Sequence, residues 1–292
     1  MADVIAIIAQ GEMGSAVGRR LRESGARVIT SLKGRSAASI ARADRDGLVA
    51  VNDDDELIRQ CDFFFSIVPP GDAVALAERL KGPLSRAPKK PIYVDHNAVS
   101  PDTAERIGAI VTGTGARYAD GGIVGGPPKP GYSPKFYVSG EAAKDCDRLN
   151  AYGLTVRVLD GPAGKASALK MSYAGITKGL TAIGSAMILG AARSGCADAL
   201  HAELTESQPQ LLPWLNRYVP GMFSKAYRWV AEMEEIAAFQ DADPASHDIY
   251  MGIARLYERL AEDYEAGKPD GEIAALARFF EPPDTGGARK SA

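Results

Sequence analysis

The 292-residue sequence predicts an α/β fold: a doubly wound, mostly parallel sheet followed by an all-helical region. Three observations carry this. Short β-branched runs alternate with amphipathic stretches as far as residue 159, and a glycine-containing turn joins the first run to the first amphipathic stretch. After Gly164 the strand signals stop, and segments rich in Ala, Leu and Met take over.

Residues 4–8 (Val-Ile-Ala-Ile-Ile) read as a strand, Gly11 and Gly14 as a tight turn, and residues 15–23 as a helix. Apolar runs at 26–29, 48–51, 62–68 and 92–94 alternate with helical patterns at 37–43, 54–61, 72–80 and 101–111. Strand–helix alternation implies parallel pairing, because parallel neighbours need a crossover. Three further strands, at 117–119, 135–139 and 155–159, extend the sheet, with a helix at 141–151 between the last two. Helices follow at 165–193, 197–205, 208–218, 223–239, 247–266 and 271–280. The expected organisation is a nucleotide-binding domain over 1–162, a helical domain over 163–282 for substrate and dimerisation, and a flexible tail over 283–292 with Pro283, Gly286 and Gly287.

With 46% hydrophobic residues, the chain can bury a sizeable core. A net charge of -3 and a pI of about 5.8 supply no attraction for nucleic acid or an anionic membrane, so a small molecule is the expected partner. Cys61, Cys146 and Cys196 show no metal-ligand spacing and no even count, which points to a reducing cytoplasm and no bound metal. The start lacks a basic segment with a cleavage site, and no apolar run approaches the ~20 residues of a membrane span. The expectation is a soluble, unprocessed protein.

Ala9-Gln-Gly11-Glu12-Met13-Gly14 ends a strand and opens a helix, so backbone N–H groups at Gly11, Glu12 and Met13 can face a pyrophosphate. Ala9 stands where a dinucleotide fingerprint usually has its first glycine. Farther on, Thr30-Ser31-Leu-Lys33-Gly-Arg35-Ser36 offers no carboxylate to a ribose 2′-hydroxyl. Ser31, Lys33 and Arg35 instead suit a 2′-phosphate, favouring NADP over NAD, although a solvated basic loop reads the same way. Ligands of open α/β sheets lie beyond the carboxyl ends of strands, which makes Val68, Pro69, Pro70 and Asn97 crevice residues. Asn97 or Ser100 can equally cap the helix beginning near Pro101, and His96 is read as structural.

In Gly161-Pro-Ala-Gly164-Lys-Ala-Ser-Ala-Leu-Lys170, one lysine enters an apolar helical run. An ammonium that loses hydration has a lowered pKa, and the neutral amine accepts a proton from an alcohol. A lysine whose stem packs while its head reaches water is the plainer alternative.

Together, Gly11-Glu-Met-Gly14, Asp95-His-Asn97-Ala-Val-Ser100-Pro101, Asp120-Gly-Gly-Ile-Val124-Gly125-Gly126 and Gly161 to Lys170 resemble the β-hydroxyacid dehydrogenases in order and spacing. That superfamily includes 3-hydroxyisobutyrate and 6-phosphogluconate dehydrogenases and imine reductases. The segment around Ala226-Tyr-Arg-Trp229 is similar to a phosphogluconate dehydrogenase-like branch with a C-terminal domain of uncharacterised function. The resemblance implies a Rossmann-like first domain, Lys170 as catalytic lysine, Gly125 and Gly126 in the substrate loop, and a homodimer. It is incomplete: Val124 replaces a serine that holds a carboxylate, Ala174 replaces an asparagine, and Thr177 and Lys178 replace an acid and a tyrosine of the decarboxylating members. At ~100° per residue, positions 170, 174 and 177 share a helix face, so Ala174 and Thr177 are expected to line the crevice of Lys170.

The implied activity is non-decarboxylating, NADP-dependent hydride transfer with a 3-hydroxy-acid-like or polyol substrate, Lys170 serving as general acid and base. Glycine backbone in 121–126 would orient substrate oxygens, with Lys129 assisting. One alternative is an imine reductase or reductive aminase, suited to the more apolar Val124 and Ala174 but opposed by a cation at Lys170. Another is a non-catalytic NADP-binding sensor.

Overall fold

The computed structural model describes residues 2–281; the expected tail at 283–292 lies outside them. Eight strands form one sheet in the order β3-β2-β1-β4-β5-β6-β7-β8. They are β1 (Val4–Ile8), β2 (Arg27–Ser31), β3 (Val49–Val51), β4 (Phe63–Ser66), β5 (Ile92–Asp95), β6 (Arg117–Val124), β7 (Lys135–Ser139) and β8 (Thr155–Val158). Every neighbouring pair is parallel except β6 with β7. The order reverses at β1, between β2 and β4, which is where an open sheet of this kind leaves a crevice for a ligand.

Both faces of the sheet are covered, and the side-chain alternation shows why. Ile5, Ile7, Phe63 and Phe65 enter one apolar cluster, while Ala6, Ile8 and Phe64 enter the other. The first cluster takes Val17 and Leu21 from α1 (Glu12–Glu23), and the second takes Leu76 and Leu80 from α4 (Ala73–Arg86). Between them in sequence lie α2 (Ala37–Arg45) and α3 (Asp54–Gln60), capped by Ser36 and Asp53 respectively. Ser100, not Asn97, caps α5 (Pro101–Thr112), with Pro101 in the first turn.

The sequence reading is right in class and wrong in two details of this sheet. The strand expected at 117–119 runs on to Val124, because Gly121 and Gly122 pair in register with Val138 and Tyr137. The segment expected to be an α-helix at 141–151 is a 3₁₀ helix, Ala143–Tyr152, ended by Gly153 at φ +77.

The remaining elements are α6 (Lys165–Arg193), α7 (Ala197–Ser207), α8 (Leu211–Met222), α9 (Ala226–Phe239), α10 (Pro244–Ala266) and α11 (Glu272–Phe279). The helix expected at 223–239 begins as a short 3₁₀ turn, Phe223–Lys225. By length and composition α6 is apolar enough to cross a membrane, contrary to the expectation that no run approaches that length. It nevertheless carries Lys170 and Lys178, and 44% of its apolar window is buried within the chain.

Contacts divide the chain into two compact units. Among the described residues, the first comprises 2–174 together with Glu234–His247, and the second comprises Gly175–Met233 and 248–281. This differs from one cut after residue 162, because the start of α6 is fastened to the sheet and a later segment returns to it.

Candidate functional site

At the end of β1 the chain turns into α1 with Gly11 as its N-cap and no side-chain hydrogen bond there. The first-turn N–H groups of a helix have no intrahelical acceptor. A Cβ added at Gly11 would meet nothing within 4 Å, so space lies open at this end, whereas one at Gly14 would collide with the Ala9 carbonyl. Glu12 is exposed and Met13 packs on the core beneath. Gln10, which sequence reasoning passed over, is buried: its Nε2 donates to the Ile7 carbonyl and Thr30 Oγ1, each at 2.8 Å, and its backbone carbonyl accepts from Arg42 Nε at 2.7 Å.

Ser31 is a correction. It closes β2 and is buried, rather than lying in the loop beyond it. Lys33 is exposed and Arg35 half-buried in that loop. The Arg35 guanidinium makes no hydrogen bond or ion pair among the described residues, and burial and then the neighbouring Arg79 lower its pKa, against Asp72 and Asp54. A partly desolvated guanidinium that spends no hydrogen bond on the protein can receive an anion, with Asp72 and Asp54 nearby offsetting part of its charge and Asp54 pairing with Arg79 at 3.0 Å. Together with the open end of α1, it makes these residues a fit for the phosphates of a dinucleotide.

Val68 and Pro69 follow β4, and Pro70 opens a short 3₁₀ turn, Pro70–Asp72, before α4. Asn97 is the second correction. Its Nδ2 donates to Ser66 Oγ (2.7 Å) and to Asp95, and its Oδ1 accepts from the Val68 N–H (2.7 Å). Only 2% exposed, Asn97 spends both amide hydrogens joining the ends of β4 and β5, so it shapes the crevice without a donor left for a cofactor.

Buried ionisable groups lie next to it. Burial pushes Asp95 up to about 8, with the charges of Asp120 and Glu235 adding to that effect against the Asn97 hydrogen bonds. His96 lies edge-on to Phe65 and Phe136, with centroids at 4.9 and 5.4 Å, and neither ring nitrogen has a hydrogen-bond partner among the described residues. Burial lowers its pKa to about 3, so it is a neutral packing residue, as read from sequence.

Lys170 lies on α6, half-buried rather than fully enclosed, and donates from Nζ to the Ile123 carbonyl at 2.9 Å. It comes this close because β6 offers glycine: a Cβ at Gly122 would fall 2.9 Å from Lys170 Cβ and 3.2 Å from the Ala166 carbonyl. Asp120, in the same strand, accepts from Ser139 Oγ (3.0 Å), Gly164 N–H (2.9 Å), Ser167 N–H (3.0 Å) and Ser167 Oγ (2.6 Å).

The expected substrate loop needs revision. Gly121 to Val124 are strand, their backbone in register with β7, and only Gly125 and Gly126 lie beyond it. Gly125 has φ +127, and Tyr132 reaches back so that its hydroxyl accepts from the Gly126 N–H at 3.2 Å. Lys129 and Tyr132 pair across a tight turn with Gly131 at φ +74, and Arg20 holds both carbonyls, at 2.8 and 3.1 Å. Val124 is half-buried.

Ala174 is only 2% exposed, so it packs instead of lining an open crevice. Thr177 is half-buried and belongs to the second unit, so the contacts do not bring it together with Lys170 in one unit. In that second unit Lys178 pairs with Glu232, sits 4.9 Å from the centroid of the Trp229 ring, and offers its carbonyl to the Tyr257 hydroxyl at 2.6 Å. Lys178 is thereby engaged by protein groups.

Residues 4–152 match the family described as the NAD binding domain of 6-phosphogluconate dehydrogenase, just over half the chain, and residues 191–260 match a domain of unknown function, DUF1932. An uncharacterised 28.5 kDa protein of Methanothermus fervidus is 28% identical over 236 residues, 80% of this chain and 90% of that one. A conserved protein of unknown function, described as structurally similar to 3-hydroxyacid dehydrogenases, superposes with a TM-score of 0.68 at 27% identity, covering 90% of this chain and 98% of the other. The 3-hydroxyisobutyrate dehydrogenase of Mycobacterium tuberculosis, with L-serine, has a TM-score of 0.68 at 16% identity, covering 96% of this chain and all of that one, which bears on the fold.

Proposed function

The chain belongs to the family of the NAD binding domain of 6-phosphogluconate dehydrogenase, and from that premise we propose that it is an NADP-dependent oxidoreductase acting on a small 3-hydroxy-acid-like or polyol substrate without decarboxylation. The observation that carries this reading is Lys170: its Nζ is held at the Ile123 carbonyl, against a glycine strand, on a helix fastened to the nucleotide-binding sheet. NADP, when bound, accepts or supplies the hydride. Lys170 Nζ takes the proton of the substrate hydroxyl in oxidation and returns it in reduction. Backbone at Gly125, where the strand has ended, orients substrate oxygens, next to Gly126, whose N–H is held by the Tyr132 hydroxyl, with Val124 as an apolar wall. Gly11, Glu12 and Met13 offer backbone N–H groups to the pyrophosphate, and Val68, Pro69 and Pro70 flank it. Arg35, with Lys33, supports the preference for NADP.

We also infer a homodimer. Tyr173, Ile176, Leu180, Ile183 and Met187 are exposed on α6 at alternating spacings of three and four, the seam pattern of packed helices. Three unpaired thiols support a reducing compartment, the cytoplasm.

The test is cofactor-coupled turnover of wild type and Lys170→Ala with NADP, NADPH, NAD and NADH across 3-hydroxy acids, polyols, sugar acids, aldehydes and cyclic imines. Alcohol oxidation or carbonyl reduction should fall by about a hundredfold or more in the variant, with NADPH binding retained. Imine reduction that survives the substitution would transfer the assignment to imine reductase chemistry, and NADPH binding without turnover of any class would leave a sensor.

A further inference from the structure

Helix α6 begins without a cap of its own. Gly164, the residue before it, has φ +94 and no side chain, so it cannot satisfy the open N–H groups of the first turn. The N–H groups of Gly164, Ala166 and Ser167 are satisfied from the sheet. Asp120 of β6 accepts the Gly164 and Ser167 N–H groups, and Ser139 of β7 accepts the Ala166 N–H at 3.0 Å while donating to Asp120. The Ser167 hydroxyl adds a fourth hydrogen bond to the carboxylate, which is fully buried. A carboxylate at a helix N-terminus is also favoured by the helix dipole.

The same strand touches Lys170 twice more. Gly122, two residues on and on the same face as Asp120, lets the Lys170 stem lie against the backbone, and Ile123 accepts its Nζ. Ser167 stands three residues before Lys170, on the adjoining turn of the same face. Strand β6 therefore fixes the helix start, the stem and the head group of one lysine.

We propose that Asp120 is the positioning residue of Lys170: by capping α6 from β6, it holds the lysine Nζ at the Ile123 carbonyl. The functional meaning of this role rests on the dehydrogenase reading, while the geometry does not. Without the cap the first turn frays, and Lys170 leaves its seat.

Trace acetic anhydride labelling of the full chain, read by mass spectrometry from about pH 6 to about pH 11, reports the reactivity of each lysine, with exposed Lys33 and Lys129 as references. Asp120→Asn should change the Lys170 labelling rate by about fivefold, the population shift expected when one cap is lost, with Lys33 and Lys129 unmoved and NADPH binding unchanged. General unfolding would move all lysines together. Ser167→Ala leaves the carboxylate three of its four donors and should give a smaller shift in the same direction. A folded Asp120→Asn protein with the wild-type Lys170 profile overturns the proposal; if that variant does not fold, an unchanged profile in Ser167→Ala does so. Turnover that survives Lys170→Ala while Asp120→Asn still shifts the labelling would retire the dehydrogenase reading and leave the positioning role standing.

Discussion

At the scale of single residues, two buried titratable neighbours give stability a defined pH dependence. Asp95 keeps its proton in the folded chain up to about 8, whereas an unfolded carboxyl releases it near ~4. The folded state binds more protons across that window, so stability falls as pH rises through it. His96 has the opposite sign. It stays neutral in the folded chain down to about 3, while an unfolded imidazole protonates below ~6.5, so stability falls as pH drops below that value. The slopes oppose one another between roughly pH 4 and 6.5, and Asp95 acts alone from there to about pH 8. Urea unfolding should therefore show stability declining by ~1 kcal/mol per pH unit between about pH 6.5 and 8, and Asp95→Asn should flatten that decline. An equally steep decline in the variant would assign it to another group.

At the scale of elements, caps supplied from afar matter as much as local ones. Glu235, near the end of α9, accepts the Ser100 N–H at 2.6 Å and Thr103 Oγ1 at 3.2 Å, fastening the start of α5. Glu235→Ala should cost ~1–2 kcal/mol and speed amide exchange at Ser100, with Glu235→Gln recovering part of the loss because it keeps an acceptor. Unchanged stability in Glu235→Ala would make the contact inconsequential. Such contacts explain what could be read from the chain. The alternation of Ile5, Ala6, Ile7 and Ile8 exposes the two-sided sheet directly, since period-two burial is written in neighbouring letters. The early end assigned to β6 follows from glycines that read as loop, although cross-strand pairing with β7 keeps them extended. Asp120 was visible as part of a motif, and an uncapped helix start at Gly164 was the available signal that some distant side chain had to serve it. Asn97 and Ser31 looked like ligand groups by position after a strand; the hydrogen bonds of Asn97 and the burial of Ser31 show how the protein itself uses them.

At the scale of the whole molecule, the exposed stripe on α6 leads to a prediction about assembly. Sedimentation equilibrium should give twice the 30.9 kDa chain mass, and Ile183→Glu, placing a charge in the middle of the stripe, should give the single-chain mass. A wild-type monomer would overturn the homodimer.

The chain passes out of the first compact unit after Ala174, comes back for Glu234–His247, and departs again. Recombination between relatives therefore faces a rule of two breakpoints. A helical unit transplanted by one crossover carries off the Glu235 latch of its host, whereas a graft of two pieces that spares residues 234–247 leaves the nucleotide-binding half self-sufficient, free to acquire new specificity without being rebuilt.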